Sequence, residues 1–580
     1  MRFEVWAPLA AKVYLVIEKH PVAMTKQKSG WWAVDTAHRK TVIDYQFMID
    51  GGEPRPDPRS PFQPFGIHGP SRFVDHNQFT WHDDKWQAPP LAEGIVYELH
   101  IGTFTPEGTF EAAIERLDHL IDLGVTHVEL MPVNEFPGNR GWGYDGVDLY
   151  APYHVYGGPT GLQRLVDACH TRGLAVLLDV VYNHLGPSGN YLGEFGPYFT
   201  DRYSTPWGPA VNFDDAGSDE VRRFLVQNAL MWLRDYHFDG LRIDAVHAIL
   251  DMSAVHFLEQ LSAEVEALKA QTGRHPVLIA ESDLNNPRLV QRKSIGGYGL
   301  DAQWTDDFHH ALHCVLTGER QGYYADFGRM TDLADAVKKA YVYDGKYSVH
   351  RDRHHGRSTD ELSGHRFVAF LQNHDQVGNR AKGDRIGQLA GLKRQKIGVA
   401  VVMTSAFIPL IFQGEEWGAG NPFLYFTNHE QEELGLAVTE GRRREFKSFG
   451  WDPNDVPDPQ DPETFRTSKL NWNELAHEEH KELLDWYRTL IGIRRSTPVL
   501  LDGRRELIKT RFDETKRWFL IERSGVATVC NLSGSAQIIP LESEKTVDVL
   551  ASSDKDISVK SGGIFLPSDT VAIVRYEAQK

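Results

Sequence analysis

Between residues 95 and 412 the chain repeats a single pattern: a short apolar run of strand character, then a longer stretch with apolar residues three and four apart. Eight such runs are present: Ile95-Val-Tyr-Glu-Leu, His127-Val-Glu-Leu-Met, Ala175-Val-Leu-Leu-Asp-Val-Val, Gly240-Leu-Arg-Ile-Asp, Val277-Leu-Ile-Ala-Glu, Asp301-Ala-Gln-Trp, Phe367-Val-Ala-Phe-Leu and Pro409-Leu-Ile-Phe. Near-continuous Val/Ile/Leu runs mark strands covered on both faces, and the spacing of three and four marks amphipathic helices, as in Phe110 to Leu123, Gly161 to Thr171, Asp219 to Asp235 and Ala254 to Ala270. Strands alternating with helices build parallel βα units, and right-handed crossovers close eight of them into an α/β fold, a (β/α)8 TIM barrel.

The flanks read differently. Phe3-Glu-Val-Trp, Val13-Tyr-Leu-Val, Trp31-Trp-Ala-Val and Tyr45-Gln-Phe-Met-Ile are short β runs broken by turns, which predicts an N-terminal β-sandwich of carbohydrate-binding-like type over 1–88. Its last part, with Pro54, Pro56, Pro58, Pro61, Pro64 and Pro70, is an ordered connector without regular structure. The barrel takes 89–497, with 417–475 expected as loops and an irregular excursion in which Arg442-Arg-Arg is a solvated face. A C-terminal β-sandwich, with Trp518-Phe-Leu-Ile, Val526-Ala-Thr-Val-Cys and Val571-Ala-Ile-Val, fills 498–580.

A net charge of −18 excludes nucleic acid as the expected partner, since phosphate binding needs a concentrated basic surface. Cys169, Cys314 and Cys530 are odd in number and far apart, so neither a disulfide framework nor a thiolate metal site is expected. With no signal-like start and no run of about 18 apolar residues, the expected setting is the cytoplasm, away from membranes. Aromatic residues at 11% and 26 histidines suit a carbohydrate ligand, bound by ring stacking and dense hydrogen bonding.

Active sites of barrel enzymes lie at the C-terminal ends of the strands. Three carboxylates stand there: Asp244 after Gly240-Leu-Arg-Ile, Glu281 after Val277-Leu-Ile-Ala, and Asp375 after Phe370-Leu-Gln-Asn-His. Retaining hydrolysis of an acetal needs one ionised carboxylate as nucleophile and one protonated carboxyl as general acid. Arg242 precedes Asp244 by two residues and so leaves the strand on the same face, favouring an ionised Asp244. Glu281 follows apolar residues compatible with a raised pKa.

With Asp179-Val-Val-Tyr-Asn-His184 at the end of the third strand, the set becomes four motifs in order, and it resembles the α-amylase family of glycoside hydrolases. The resemblance implies Asp244 as nucleophile, Glu281 as general acid/base and Asp375 as transition-state stabiliser. It places Arg242, His184, His374 and His247 around the substrate, with Tyr144 of Trp142-Gly-Tyr-Asp-Gly as a stacking platform. Residues 56–71, Asn183-His-Leu-Gly-Pro-Ser-Gly-Asn-Tyr-Leu, Asp306-Asp-Phe-His-His310 and Gln372-Asn-His-Asp-Gln-Val-Gly-Asn379 look like the branch of that family that hydrolyses the α-1,4 bond beside a terminal trehalose. That branch implies Asp306, Asp307, His309, His310, Gln376 and Asn379 as further substrate contacts. It also implies maltooligosyltrehalose and malto-oligosaccharides as partners, with the synthase that makes maltooligosyltrehalose as metabolic neighbour. A glycogen-branching transferase and a non-catalytic glucan-binding protein are the alternatives. No paired-His zinc spacing or oxygen-rich calcium loop is present, and 185–215 is short where some α-amylases insert a calcium-holding domain, so no metal and no cofactor are expected.

Overall fold

The computed structural model describes residues 1–36, 42–447, 449–541 and 547–576. The eight predicted runs form a closed parallel barrel: β1 (Val96–Leu99), β2 (His127–Leu130), β3 (Ala175–Val180), β4 (Gly240–Ile243), β5 (Val277–Ala280), β6 (Ala302–Trp304), β7 (Phe367–Phe370) and β8 (Ile408–Phe412), each paired with the next and β8 with β1. Alternation persists inside these apolar strands. Val96, Leu177, Ile279, Ala302, Trp304, Val368, Phe370, Ile408 and Leu410 fill the interior, while residues one step away, such as Tyr97, Leu178 and Ile243, join the large core under the helices.

At the N-terminus, a three-stranded sheet centred on Trp31–Asp35 and a four-stranded sheet, from His20–Ala23 through Val13–Ile17 and Asp44–Ile49 to Ser71–Arg72, bury Phe3, Val5, Leu15, Trp32 and Phe47. At the C-terminus, a five-stranded sheet packs one face on a three-stranded sheet through Leu520, Val529, Ile539, Ile564 and Val574. Its other face, with Phe519, Ile521 and Ile573, joins the barrel's outer core. Buried Arg494 and Arg523 donate to Met403, Thr404 and Ser405 carbonyls, neutralising the C-terminal end of helix Ile386–Thr404.

Two predicted features differ. Phe110 to Leu123 is two helices, Phe110–Ile114 and Leu117–Leu123. The stretch expected to be irregular contains helix Glu432–Lys447, whose Arg442 turns inward and donates to Asn379 Oδ1 at 3.0 Å, so only part of the arginine run is a solvated face.

Residues 81–86, which lead into the barrel, are clamped beneath it. His170 lies between two carboxylates, Nδ1 at 2.8 Å from Asp83 and Nε2 at 2.9 Å from Asp239, and Asp83 also receives His237 and Arg274. Trp86 stacks on His170 and Trp81 on His237. Burial opposes a charged His170, but Asp239 and Asp83 outweigh it and raise its pKa; burial likewise opposes an ionised Asp83, but His170, His237 and Arg274 hold it far down. The His170 contribution is complete below its unfolded pKa and is lost as pH rises through the raised folded value, whereas that of Asp83 is lost as pH falls through its depressed one. His170→Ala is expected to destabilise the fold by about 3 to 5 kcal/mol, because it strands buried carboxylates. An unchanged denaturant midpoint at neutral pH would contradict this.

Candidate active site

Ile243 is paired with Val180 on one side and Ala280 on the other, so the next residues, Asp244 and Glu281, leave adjacent strands side by side. Strand spacing alone sets their backbones roughly 4.8 Å apart. Their N–H groups extend the ladder, Asp244 to the Val180 carbonyl and Glu281 to the Ile243 carbonyl, each at 3.0 Å. Two residues earlier on the same faces stand Arg242 and Ile279, with Ile279 in the barrel interior. Both carboxyl groups therefore rise from the inner wall into the mouth, where their side chains are 14% and 13% exposed.

Arg242, fully buried with its guanidinium 4.3 Å from the Trp304 ring, organises the charge. Its Nη1 donates to Asp179 Oδ1 and Oδ2 at 2.9 and 2.8 Å and to Asp244 Oδ1 at 2.8 Å, whereas Nη2 is 3.7 Å from Glu281 Oε2. Asn183 Nδ2 donates to Asp244 Oδ2 at 2.9 Å. Burial pushes the Asp244 carboxyl up, but Arg242, His184 and Asn183 override it and leave the pKa below the usual range. For Glu281 burial prevails: with Asp244 and Asp375 adding to it, the pKa is raised despite Arg242 and His247. The result is an Asp244 biased toward its ionised form beside a Glu281 biased toward its protonated form. Ala245, with φ of 38° in the left-handed region, directs its N–H to Glu281 Oε2 at 2.6 Å. Such a conformation costs on the order of 1 to 3 kcal/mol in a non-glycine residue, and here it fixes the acid in place.

Asp375 lies in the first turn of helix His374–Gly378, which Asn373 caps by accepting from the Gln376 N–H. It is 38% exposed, 3.4 Å from His374 Nε2, and receives Asn379 Nδ2 at 3.1 Å. Tyr144 lies at 25° to His374, its hydroxyl donating to Asp179 Oδ2 at 2.6 Å and meeting His374 Nε2 at 2.8 Å. Asp375 acts electrostatically on both Glu281 and Tyr144, so it faces the same centre. His184 is bonded to Asn183 and the Tyr144 carbonyl and stacks on Trp207 at 4.2 Å. His247 stays exposed, on the short turn Val246–Ala248 after β4.

The residues after β6 separate into two groups. Asp306 faces the acids: its carboxyl is pushed far up, first by burial and then by Glu281, Asp283 and Asp375. Asp307 is turned away, its Oδ2 accepting from Asn285 Nδ2, Val342 N and Tyr343 N at 2.7 to 2.8 Å. His309 has both nitrogens engaged, by the Leu371 carbonyl at 2.7 Å and Tyr324 Oη at 3.2 Å. His310 packs among Tyr323, Tyr324 and Phe327, and His313 bonds Glu319. Gln376 Oε1 is buried without a hydrogen-bond partner among the described residues. The structure thus brings Asp244, Glu281, Asp375, Tyr144, His184, Arg242, His374, Asp306 and Asn379 together, and sets Asp307 and His309 into the wall behind them. The sequence reading gave no role to Asp179, Asn183, Trp207 or Trp304. Asp179 and Asn183 were within reach, as polar residues of the third-strand motif.

An eight-stranded α/β barrel with these acids at its C-terminal mouth defines a glycoside hydrolase of the α-amylase type. The alpha amylase catalytic-domain model matches residues 69–203. The chain is 48% identical to malto-oligosyltrehalose trehalohydrolase of Arthrobacter ramosus, over 99% of this chain and 100% of that one, and 46% identical to the enzyme of the same name from Rhizobium sp. (strain M-11), over 99% and 97%. A crystal structure of a protein from Salmonella typhimurium superposes with a TM-score of 0.90 at 38% identity, covering 99% of this chain and 97% of that one. The chain belongs to the malto-oligosyltrehalose trehalohydrolase family.

Proposed function

We propose that this protein is a retaining glycoside hydrolase that cleaves the α-1,4-glucosidic bond next to the terminal trehalose of maltooligosyltrehalose, releasing trehalose and a malto-oligosaccharide. The observation that carries the chemistry is the uneven sharing of Arg242, which bonds Asp244 and only approaches Glu281. Asp244 attacks the anomeric carbon while Glu281 protonates the departing glycosidic oxygen, forming a glycosyl ester on Asp244. Glu281, now ionised, takes a proton from water, which attacks the same carbon and frees Asp244. Asp375 and His374 support the ring as it acquires oxocarbenium character, with Tyr144 beneath it. Asp306, Gln376, Asn379, His184, His247 and His310 contact substrate, whereas Asp307 and His309 act by holding the wall.

Trehalose as the leaving group rests on the names of the relatives, nearly half identical over almost the full chain. On this reading residues 1–88 are a carbohydrate-binding-like sandwich, 89–497 the catalytic barrel and 498–580 a closing sandwich, and the synthase that makes the capped glucan is the metabolic neighbour. Three buried, unpaired cysteines support a reducing cytoplasmic setting, and no helix among the described residues is long and apolar enough to cross a membrane.

Incubation with maltooligosyltrehalose beside a plain malto-oligosaccharide of equal length tests the proposal. Trehalose should be released from the first at least about 10-fold faster than any product from the second. New α-1,6 branches in amylose without trehalose would favour a branching transferase, and unaltered substrate would favour a binding protein.

A further inference from the structure

Glu98, the third residue of β1, is a charged side chain in an otherwise apolar strand, 1% exposed inside the barrel. It grips one side chain at two points. Oε2 accepts the His374 backbone N–H at 2.9 Å, and Oε1 bonds His374 Nδ1 at a very short distance. A carboxylate oxygen is an acceptor, so Nδ1 carries a hydrogen. The other ring nitrogen, Nε2, faces the Tyr144 hydroxyl at 2.8 Å and Asp375 Oδ2 at 3.4 Å. Tyr144 already gives its own proton to Asp179, whose two oxygens also accept from Arg242. Nε2 therefore carries a hydrogen as well, and the ring is an imidazolium.

We infer that Glu98 is a positioning residue for hydrolysis: its two-point grip holds His374 doubly protonated, with Nε2–H aimed at Tyr144, Asp375 and the sugar between them. This rests on the assignment of the site given above.

Several titratable groups surround the ring. Glu98 and His100 reach it from β1 and its end, Glu129 from β2, Asp179 from β3, Arg242 from β4, and Asp375 from its own helix. Burial works against the charge, but Asp375 and Glu98 outweigh it and push His374 up to about 9, with Arg242 opposing. Glu129 is paired in register with Glu98, yet neither of its oxygens has a hydrogen-bond partner among the described residues. Burial, then Glu98 and Asp179, hold its carboxyl far above the usual range. Glu129 is thus biased toward its neutral form, and Glu98 is the carboxyl that bonds the ring from this side.

Glu98→Gln offers the same shape with one acceptor oxygen for two N–H donors. Its kcat is expected to fall about 10- to 100-fold, the scale seen for outer hydrogen-bond partners of site histidines, with KM within about 3-fold. Glu98→Asp restores the charge and should recover much of that loss. The direct readout is the 15N spectrum of histidine-labelled enzyme, with His374 assigned by its absence in His374→Gln. In wild type both nitrogens should remain protonated at pH 8, and in Glu98→Gln the ring should titrate at least one pH unit lower. A neutral His374 in wild type at pH 8 overturns the inference even if the variants misfold. Wild-type kcat in Glu98→Gln, or a loss of kcat with the His374 titration unmoved, overturns it too. The ratios are read on whichever α-glucan the wild-type enzyme cleaves, whereas failure of the site assignment would show separately, as activity surviving in Asp244→Asn.

Discussion

Asp244→Asn is expected to lower kcat for trehalose release by about four to six orders of magnitude, or roughly 5 to 8 kcal/mol of barrier. An amide cannot form the glycosyl ester, and the bonds that orient Asp244 would meet the wrong partner. Arg242 Nη1 and Asn183 Nδ2 both donate to this carboxylate, so an amide satisfies one and presents an N–H to the other. The fold should survive. Arg242 keeps its two bonds to Asp179 and its contact with Trp304, and the Asp244 N–H still pairs with Val180. Trehalose assayed beside thermal unfolding separates the effects: activity absent with a midpoint within a few degrees of wild type is the expected result. More than about 1% residual turnover would remove Asp244 from the role of nucleophile.

This prediction depends on residues whose placement was legible in the sequence, and the reason is geometric. A strand covered on both faces is apolar along most of its length, so Asp244, Glu281 and Asp375 stand out as acids shortly after such runs, and the eight runs gave the barrel directly. What the runs do not encode is how ends separated by hundreds of residues meet once the sheet closes. Glu98 becomes the partner of His374, 276 residues away, only because β8 closes onto β1 and brings β7 within reach. The polar break it makes in β1 was visible; its partner was not. The histidines after β6 show the opposite failure. A motif-like Asp306-Asp-Phe-His-His310 suggested one contact surface, but a helix beginning at Asp306 turns successive residues by about 100°, so Asp306 faces the acids while Asp307 faces the wall, and His309 is taken up by the Leu371 carbonyl and Tyr324. Arg442 belongs to the same class of miss, since a run of three arginines on helix Glu432–Lys447 cannot share one exposure.

Glu281→Gln carries the second large effect, and its form identifies the role more sharply than its size. Loss of a general acid is expected to reduce kcat by about 10² to 10⁴ on maltooligosyltrehalose, where the sugar oxygen must be protonated to leave. An α-glucosyl fluoride needs little such help, so ester formation on Asp244 should proceed in the variant, giving a burst of fluoride equal to the enzyme present. Hydrolysis of the ester then stalls, because the same residue is the base that activates water. Azide, which attacks without a base, should restore turnover and yield the α-glycosyl azide. Wild type should lose kcat/KM on the acid side as Asp244 takes up a proton, and on the alkaline side as Glu281, raised by burial and by Asp244 and Asp375, gives one up. Glu281→Gln has no carboxyl to titrate there, so the alkaline fall assigned to it should vanish until the loss of charge on His374, near 9, takes over. A variant with wild-type pH dependence and no response to azide would mean that the proton comes from elsewhere, and one other carboxyl held up by burial and facing Glu281 is Asp306.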